Sequence, residues 1–449
     1  MEQTLVGFDV GSFALPTLVV AMLVLSFRVI QDLRTRSSAS DAPRGKPRRV
    51  MIVANRIGEF NGETGGGSIF RENLFNGLTK AKYTVTCMSI GRADVSYYNS
   101  VRGPLMSASV HNIVLMARAV RQQDLVVISG SWTFMNCVAV YLSLLFGVPC
   151  ITFVTMNSKA AVDSNFSGAT WLLSYCLYMA SDYFNCFLST VAWTRSAEYL
   201  KILNERHVRV QGVVSCEDQY EAFRPHDSQA DIAEARNLLS GGCPEKPLLL
   251  FCGRLRQEKR IPLLLAARPP NMVLAIVGNG TDVEYYKNLH NPAKGIVCLV
   301  EEMVPQARLR LYYKAADIHV SASDFETLGN TVHEALLCGC PAIVQRAGGY
   351  ISQVRDGQNG YLVDWEDAQE AQRAVKSVLK HELTSVMPLP KKAREAMDIV
   401  AEYASGRTSA LAPLMVIVSY PAICLLWGMS CLYERFSLES TRAERMTDP

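Results

Sequence analysis

Between Ala316 and Val344 the chain reads as a continuous unit: apolar strand, polar turn, amphipathic helix, glycine–proline stop, apolar strand. Ala316-Asp317-Ile318-His319-Val320-Ser321 has the length and apolar content of a short buried strand, and Val332 to Cys338 has helical spacing closed by Gly339 and Pro341. Strand, helix and strand in that order commit this part of the chain to an α/β fold with parallel pairing. Two carboxylates, Glu326 and Glu334, stand eight residues apart around the Leu328-Gly329-Asn330 turn. The spacing puts Glu326 at a strand's carboxyl end, in the crevice where open α/β sheets bind nucleotides, and Glu334 along the helix that follows. The start of that helix offers free N–H groups and a positive dipole end to a diphosphate.

The same alternation runs along most of the chain. Val50–Ala54 is a continuous apolar run, the first strand of a parallel sheet. It leads through Gly58, Gly62 and Gly65-Gly66-Gly67 into a helical pattern from Ile69 to Leu78, without the ordered Gly-x-Gly-x-x-Gly of dinucleotide enzymes. Further strands are predicted at Thr84–Ser89, Leu125–Ser129, Cys150–Val154, Tyr183–Leu188 and Val208–Val213, with helical patterns between them. A second sheet opens at Leu248–Cys252 and continues at Val273–Val277, 296–299, 317–321 and 342–345. Asp367 to about Tyr403 reads as helical.

At 449 residues the chain has room for two domains and additional segments. Net charge of +3 leaves no basic excess, which argues against a nucleic-acid partner. Thirteen cysteines occur without a Cys-x-x-C pair, so scattered reduced thiols are expected rather than a disulfide framework or a zinc site. Val10 to Phe27 is apolar and is followed by Arg28, Arg34, Arg36, Arg44, Lys46, Arg48 and Arg49. That pattern predicts a signal-anchor with the rest of the chain on the cytoplasmic side, and an organelle-targeting role is the alternative. Leu411 to Leu432 is uncharged but carries Pro413 and Pro421. It is expected to cross a membrane or to lie as a hairpin in one leaflet, a buried core helix being the alternative.

At Glu326 and Glu334, with Ser323-Asp324 before them and Gly339-Cys340-Pro341 and Ala347-Gly348-Gly349 after, the chain resembles the retaining glycosyltransferases of family 4. The resemblance covers about residues 50–365 and is motif-rich in its second half. It implies a GT-B fold, two Rossmann-like domains facing a cleft, here with terminal membrane helices. The corresponding division is an N-terminal membrane anchor at 1–33, a basic linker at 34–49 and an acceptor domain at 50–225. A hinge at 226–245, a nucleotide-sugar domain at 246–385, a return helix at 386–408, a membrane segment at 409–433 and a tail at 434–449 follow.

The resemblance also implies roles. Glu326 would meet the donor sugar's hydroxyls and Glu334 the ribose hydroxyls of the nucleotide. Gly253-Arg254-Leu255-Arg256-Gln257-Glu258-Lys259 looks like the family's Gly-Arg-x4-Lys pattern, so Arg254 and Lys259 would take the diphosphate while Arg256 and Arg260 face solvent. A leaving nucleoside diphosphate accumulates negative charge that fixed cations and helix-start amides stabilise. No Asp-x-Asp occurs in the chain, so no metal ligand set and no cofactor beyond the UDP-sugar donor are expected. Gly66, Gly67 and Gly253 would approach the sugar and diphosphate, Gly278 and Met303 the nucleoside, and Leu328, Gly329 and Asn330 the donor through the turn. The family's first-domain histidine is replaced. After Cys150–Val154 comes Thr155, or Asn157 by a shifted match, and neither is a general base at neutral pH. Thr155 is the candidate there, with the departing phosphate able to accept the acceptor's proton.

The wording Ser-Asp-x-Glu-Thr-Leu-Gly is similar to plant and algal sulfoquinovosyldiacylglycerol synthases. The resemblance therefore implies transfer with retention from a UDP-sugar, UDP-sulfoquinovose being the best fit, to a lipid such as diacylglycerol, at an internal or plastid membrane. A phosphatidylinositol or polyprenol acceptor, and a catalytically silent nucleotide-sugar-binding subunit, are the alternatives.

Overall fold

The structure, a computed structural model, describes residues 48–54, 66–89, 110–130, 134–155, 162, 168–224, 226–300, 304–324, 326–380, 382–386, 388, 393–404, 416 and 419–429. The expected N-terminal anchor, most of the basic linker, and residues Asn157 and Met303 lie outside them.

The first lobe is a parallel sheet of β1 (Arg49–Ala54), β2 (Thr84–Ser89), β3 (Leu125–Ser129), β4 (Cys150–Val154), β5 (Val191–Thr194) and β6 (Gly212–Ser215), in the order β2-β1-β3-β4-β5-β6. Alternate β1 residues point to opposite faces: Val50, Ile52 and Ala54 join one core cluster, Met51 and Val53 the other. Both faces are covered by helices, which is why these strands are apolar throughout rather than alternating. The helices are α1 (Gly66–Lys80), α2 (Val110–Arg121), α3 (Phe134–Phe146), α4 (Gly168–Leu188) and α5 (Ala197–Glu205). Tyr183–Leu188, expected as a strand, is the last turn and a half of α4. Its apolar residues continue the helical stripe through Leu177 and Tyr178, and the strand begins after the Ser189-Thr190 turn. The expected strand at Val208–Val213 is shifted to β6.

Helix α3 is buried nearly all the way round, from Phe134 to Ser143 without a break. A helix apolar on every side needs cover on every side. Helices α2 and α4 supply part of it, and residues 419–429, themselves helical, supply more. Ile423, Leu426 and Trp427 are buried with Phe134, Val138 and Tyr141, and Tyr141 Oη stands 3.5 Å from the Val416 carbonyl. The described part of the 411–432 segment, expected to lie in a membrane, therefore belongs to the first lobe's core. No helix among the described residues is long and apolar enough to cross a membrane.

The chain passes to the second lobe through a 3-10 turn, Glu217–Phe223. Asp227 follows, held by Arg310 at 2.6 Å and Lys314 at 2.6 Å; these two cations keep its carboxyl far below the usual range. The second sheet contains β7 (Leu248–Cys252), β8 (Val273–Gly278), β9 (Ile296–Val300), β10 (Ile318–Ser321), β11 (Ala342–Gln345) and β12 (Gly360–Val363), all parallel, in the order β9-β8-β7-β10-β11-β12. Its helices are α6 (Gln229–Leu239), α7 (Ile261–Ala267), α8 (Val283–Leu289), α9 (Gln306–Ala315), α10 (Asn330–Leu337) and α11 (Ala368–Leu379). The winding direction reverses between β7 and β10, and the crevice above that reversal is where doubly wound sheets take ligands.

The expected helical stretch Asp367–Tyr403 is divided. After α11 the chain returns to the first lobe, where β13 (Arg394–Glu395) pairs with β6 and α12 (Ala396–Tyr403) buries Ala396, Ile399 and Val400 beside Phe70 and Leu74 of α1. Glu395 accepts hydrogen bonds from Ser215 Oγ and from the Glu217 amide at 3.2 Å.

Candidate functional site: the crevice between β7 and β10

Two loops leave the sheet side by side at the reversal. The loop after β7 carries Gly253 to Arg260, and the loop after β10 carries Ala322 to Gly329 before α10 begins at Asn330. They meet in an ion pair between Lys259 Nζ and Glu326 Oε1. Lys259 is 9% exposed, so its ammonium is held in a partly dry crevice rather than in bulk water. Ser323 Oγ donates to the Glu258 carbonyl at 3.3 Å and ties the loops again. Arg254 lies at the solvent side of the same loop, its side chain 43% exposed and 3.8 Å from Glu258. The expectation that Arg256 and Arg260 face solvent is corrected. Arg256 is half-buried, and Arg260 ion-pairs with Asp324 and Glu366. The left-handed backbone of Arg260, φ +49, turns the chain from the 3-10 segment Gln257–Lys259 into α7 and brings its guanidinium back over the crevice.

Glycines set how closely these loops approach. A Cβ at Gly278, whose φ is +147, would overlap the Gly253 carbonyl oxygen, and one at Gly280 would overlap that of Leu255. The turn Gly278-Asn279-Gly280 thus seats the β7 loop from below, with Leu255 N donating to the Asn279 carbonyl at 2.8 Å. On the other side Gly348 and Gly349 approach Glu326 and Thr327 in the same way, and the Gly349 amide donates to the Glu326 carbonyl at 2.7 Å. Gly329, φ +77, ends the turn. Gln353, 2% exposed and not anticipated from sequence, donates through Nε2 to the Leu328 carbonyl and lies 3.2 Å from that of Gly329 and 3.4 Å from that of Gly349. The loop that presents Glu326, Leu328, Gly329 and Asn330 is therefore fixed from beneath before any ligand arrives.

Helix α10 carries the second carboxylate inward. Glu334 is 5% exposed and accepts from Tyr313 Oη at 3.1 Å. Burial raises its pKa to about 7, the Tyr313 hydrogen bond only partly opposing the rise. His333 stacks at a tilt on Tyr220, ring centroids 4.3 Å apart, and the Tyr220 hydroxyl donates to Asn330 Oδ1 at 3.0 Å. Tyr220 belongs to the 3-10 segment joining the lobes, so the start of α10 is tied to that connection. Among the described residues no group of three His, Cys, Asp or Glu side chains is placed to hold a metal ion.

On the first lobe, Thr155 is half-buried and stands one residue past β4, at the carboxyl edge of that sheet. Gly66 and Gly67, read from sequence as loop, form the first turn of α1. The described cysteines are free thiols.

Residues 241–398 match the glycosyl transferases group 1 family. Curated relatives include D-inositol 3-phosphate glycosyltransferase 2 of Catenulispora acidiphila, 35% identical over 173 residues, and sulfoquinovosyl transferase SQD2 of Arabidopsis thaliana, 31% identical over 183 residues. These alignments cover 35% and 40% of this chain, and 39% and 34% of the respective relatives, so the chain spans well under half of the relatives' length. Solved structures match more of the chain. HepE from Anabaena, in complex with UDP-glucose, aligns over 87% of this chain and 99% of its own with a TM-score of 0.58 at 15% identity. Sucrose-phosphate synthase from Thermosynechococcus elongatus aligns over 88% and 100% with a TM-score of 0.57 at 16% identity. The two-lobed GT-B fold is thus shared across both lobes, while the family match lies in the second.

Proposed function

We propose that this chain is a glycosyltransferase that moves a sugar, with retention and without a metal ion, from a UDP-sugar to a membrane lipid. The Lys259–Glu326 pair at the sheet reversal carries this reading. Lys259 is poised to turn from Glu326 to the β-phosphate, which frees the carboxylate to accept hydrogen bonds from the sugar's hydroxyls. Arg254 at the mouth adds a second cation, and the amides at the start of α10 add dipoles aimed at the same charge. Glu334, buried below, would receive the ribose hydroxyls. Thr155 would face the acceptor from the first lobe. Similarity to HepE, solved with UDP-glucose, supports UDP as the nucleotide, and similarity to a sulfoquinovosyl transferase supports sulfoquinovose as the sugar transferred.

A lipid acceptor is also supported by the outer surface of the first lobe. The helices that cover α3 expose Val110, Val114, Leu172, Phe187 and Leu425, Leu425 being 67% exposed. The relative that acts on D-inositol 3-phosphate favours a second reading, an acceptor with an inositol phosphate headgroup.

The test is transfer of radiolabel from UDP-sulfoquinovose and UDP-glucose to diacylglycerol and phosphatidylinositol by the full chain in membranes, with Glu326→Ala beside it. Labelled lipid is expected, reduced at least ~100-fold in the variant and unchanged by EDTA, since removing one charged transition-state contact costs about 3 kcal/mol. Absence of product from every donor, or an obligatory divalent cation, would overturn the reading.

A further inference from the structure

One cation in the cleft comes from the lobe opposite the Lys259–Glu326 pair. Strand β5 ends at Thr194, and the next residue, Arg195, is 5% exposed. A buried guanidinium without a carboxylate is costly, because its donors lose water and gain little in return. Arg195 takes part in no ion pair with a described residue. Its Cζ lies 4.5 Å from the centre of the Phe70 ring on α1, a cation–π contact that fixes the plane of the group. Nη2 reaches across the cleft to stand 3.5 Å from Asn330 Oδ1, an oxygen already accepting from the Tyr220 hydroxyl. Nη1 is buried and has no hydrogen-bond partner.

Asn330 is the first residue of α10, whose opening amides have no partner within the helix. A guanidinium with one unsatisfied donor on the first lobe thus lies directly against the helix start on the second. A ligand that satisfies both must be anionic and carry several acceptor oxygens. Lys259 is engaged at Glu326, on the loop that leads into Asn330, so the second lobe presents its own cation on the segment that Arg195 touches.

We propose that Arg195 is a binding residue for the diphosphate of the nucleotide sugar, contributed by the first lobe. This rests on the donor reading given above. Nη1 is solvent-excluded while Nη2 touches Asn330, so a phosphate oxygen enters between Arg195 and the start of α10 as that contact loosens, with Phe70 holding the plane of the guanidinium. Because the contact spans the cleft, it forms when the lobes are together, so the bound diphosphate itself holds them closed.

The test uses the full chain, with UDP and uridine as probes in titration calorimetry. Arg195→Gln is expected to weaken UDP binding roughly 10–100-fold, the range for a lost charge-assisted hydrogen bond, and to leave uridine binding within twofold. Arg195→Lys, which keeps the charge and loses the fork, is expected to fall between, at roughly 3–10-fold. If the glutamine variant does not fold, the lysine variant carries the test. UDP affinity within twofold of wild type in a folded variant would overturn the assignment, as would an equal loss for uridine, which would mark a structural role. Wild-type protein that binds UDP no better than uridine would instead sink the donor reading on which the inference stands.

Discussion

Replacing Glu334 with Gln should change how stability responds to pH more than it changes stability itself. The carboxyl is 5% exposed, and burial lifts its pKa from 4.5 to about 7. The sign follows from proton counting. Between those two values the folded chain holds a proton at Glu334 that the unfolded chain has released, so folding is weakened as pH rises. The contribution is complete below pH 4.5 and is lost as pH climbs through 7. A separation of that size corresponds to about 3 kcal/mol. Glutamine keeps an oxygen for the Tyr313 hydroxyl and does not titrate. Urea unfolding of both proteins, followed by circular dichroism from pH 4 to 8 without nucleotide, should show the variant gaining about 3 kcal/mol on wild type across that span. His319 titrates in the opposite sense, since burial depresses its pKa to about 4, but it is common to both proteins and cancels in the difference. A difference that stays flat with pH would refute the reasoning, because it would mean that Glu334 is ionised in the fold at its ordinary pKa.

Two substitutions probe the supports of the donor loops. Gly278→Ala forces a methyl group onto the Gly253 carbonyl at φ +147 and should cost about 3 kcal/mol of second-lobe stability, read as a fall in its unfolding midpoint; an unchanged midpoint would mean the β7 loop is not seated on that turn. Gln353→Leu strips a donor from the Leu328, Gly329 and Gly349 carbonyls and should raise KM for the UDP-sugar about tenfold with the first lobe's stability unchanged; unaltered kinetics would show that the Glu326 loop holds its shape without it.

The elements around the crevice were legible because they are built from local sequence. Ala316 to Val344 names its own strand, turn, helix and stop, and Lys259 and Glu326 are recognisable from short-range spacing. What escaped was long-range. Arg195 acquires meaning from Asn330, which lies 135 positions away, and Gln353 from carbonyls 24 and 25 positions back. Strand β12 is four residues and β13 two, too short for an alternation to register. The close approach of Gly278 to the Gly253 carbonyl, 25 positions back, is likewise a long-range fact. Residues 419–429 carry the hydropathy of a membrane segment, but hydropathy reports only that burial is wanted. Helix α3, apolar on all sides, decides what does the burying.

The return of the chain through β13 means that the lobes are suspended at two points, once where Glu217–Phe223 leads out and once where Arg394 comes home. Glu395 clamps both points together through Ser215 and Glu217. A body hung from paired straps can swing about the line joining them but resists swivelling about any other. The jaws should therefore part along a single arc, so that Arg195 and Asn330 separate and meet again in the same register each time the lobes open and close.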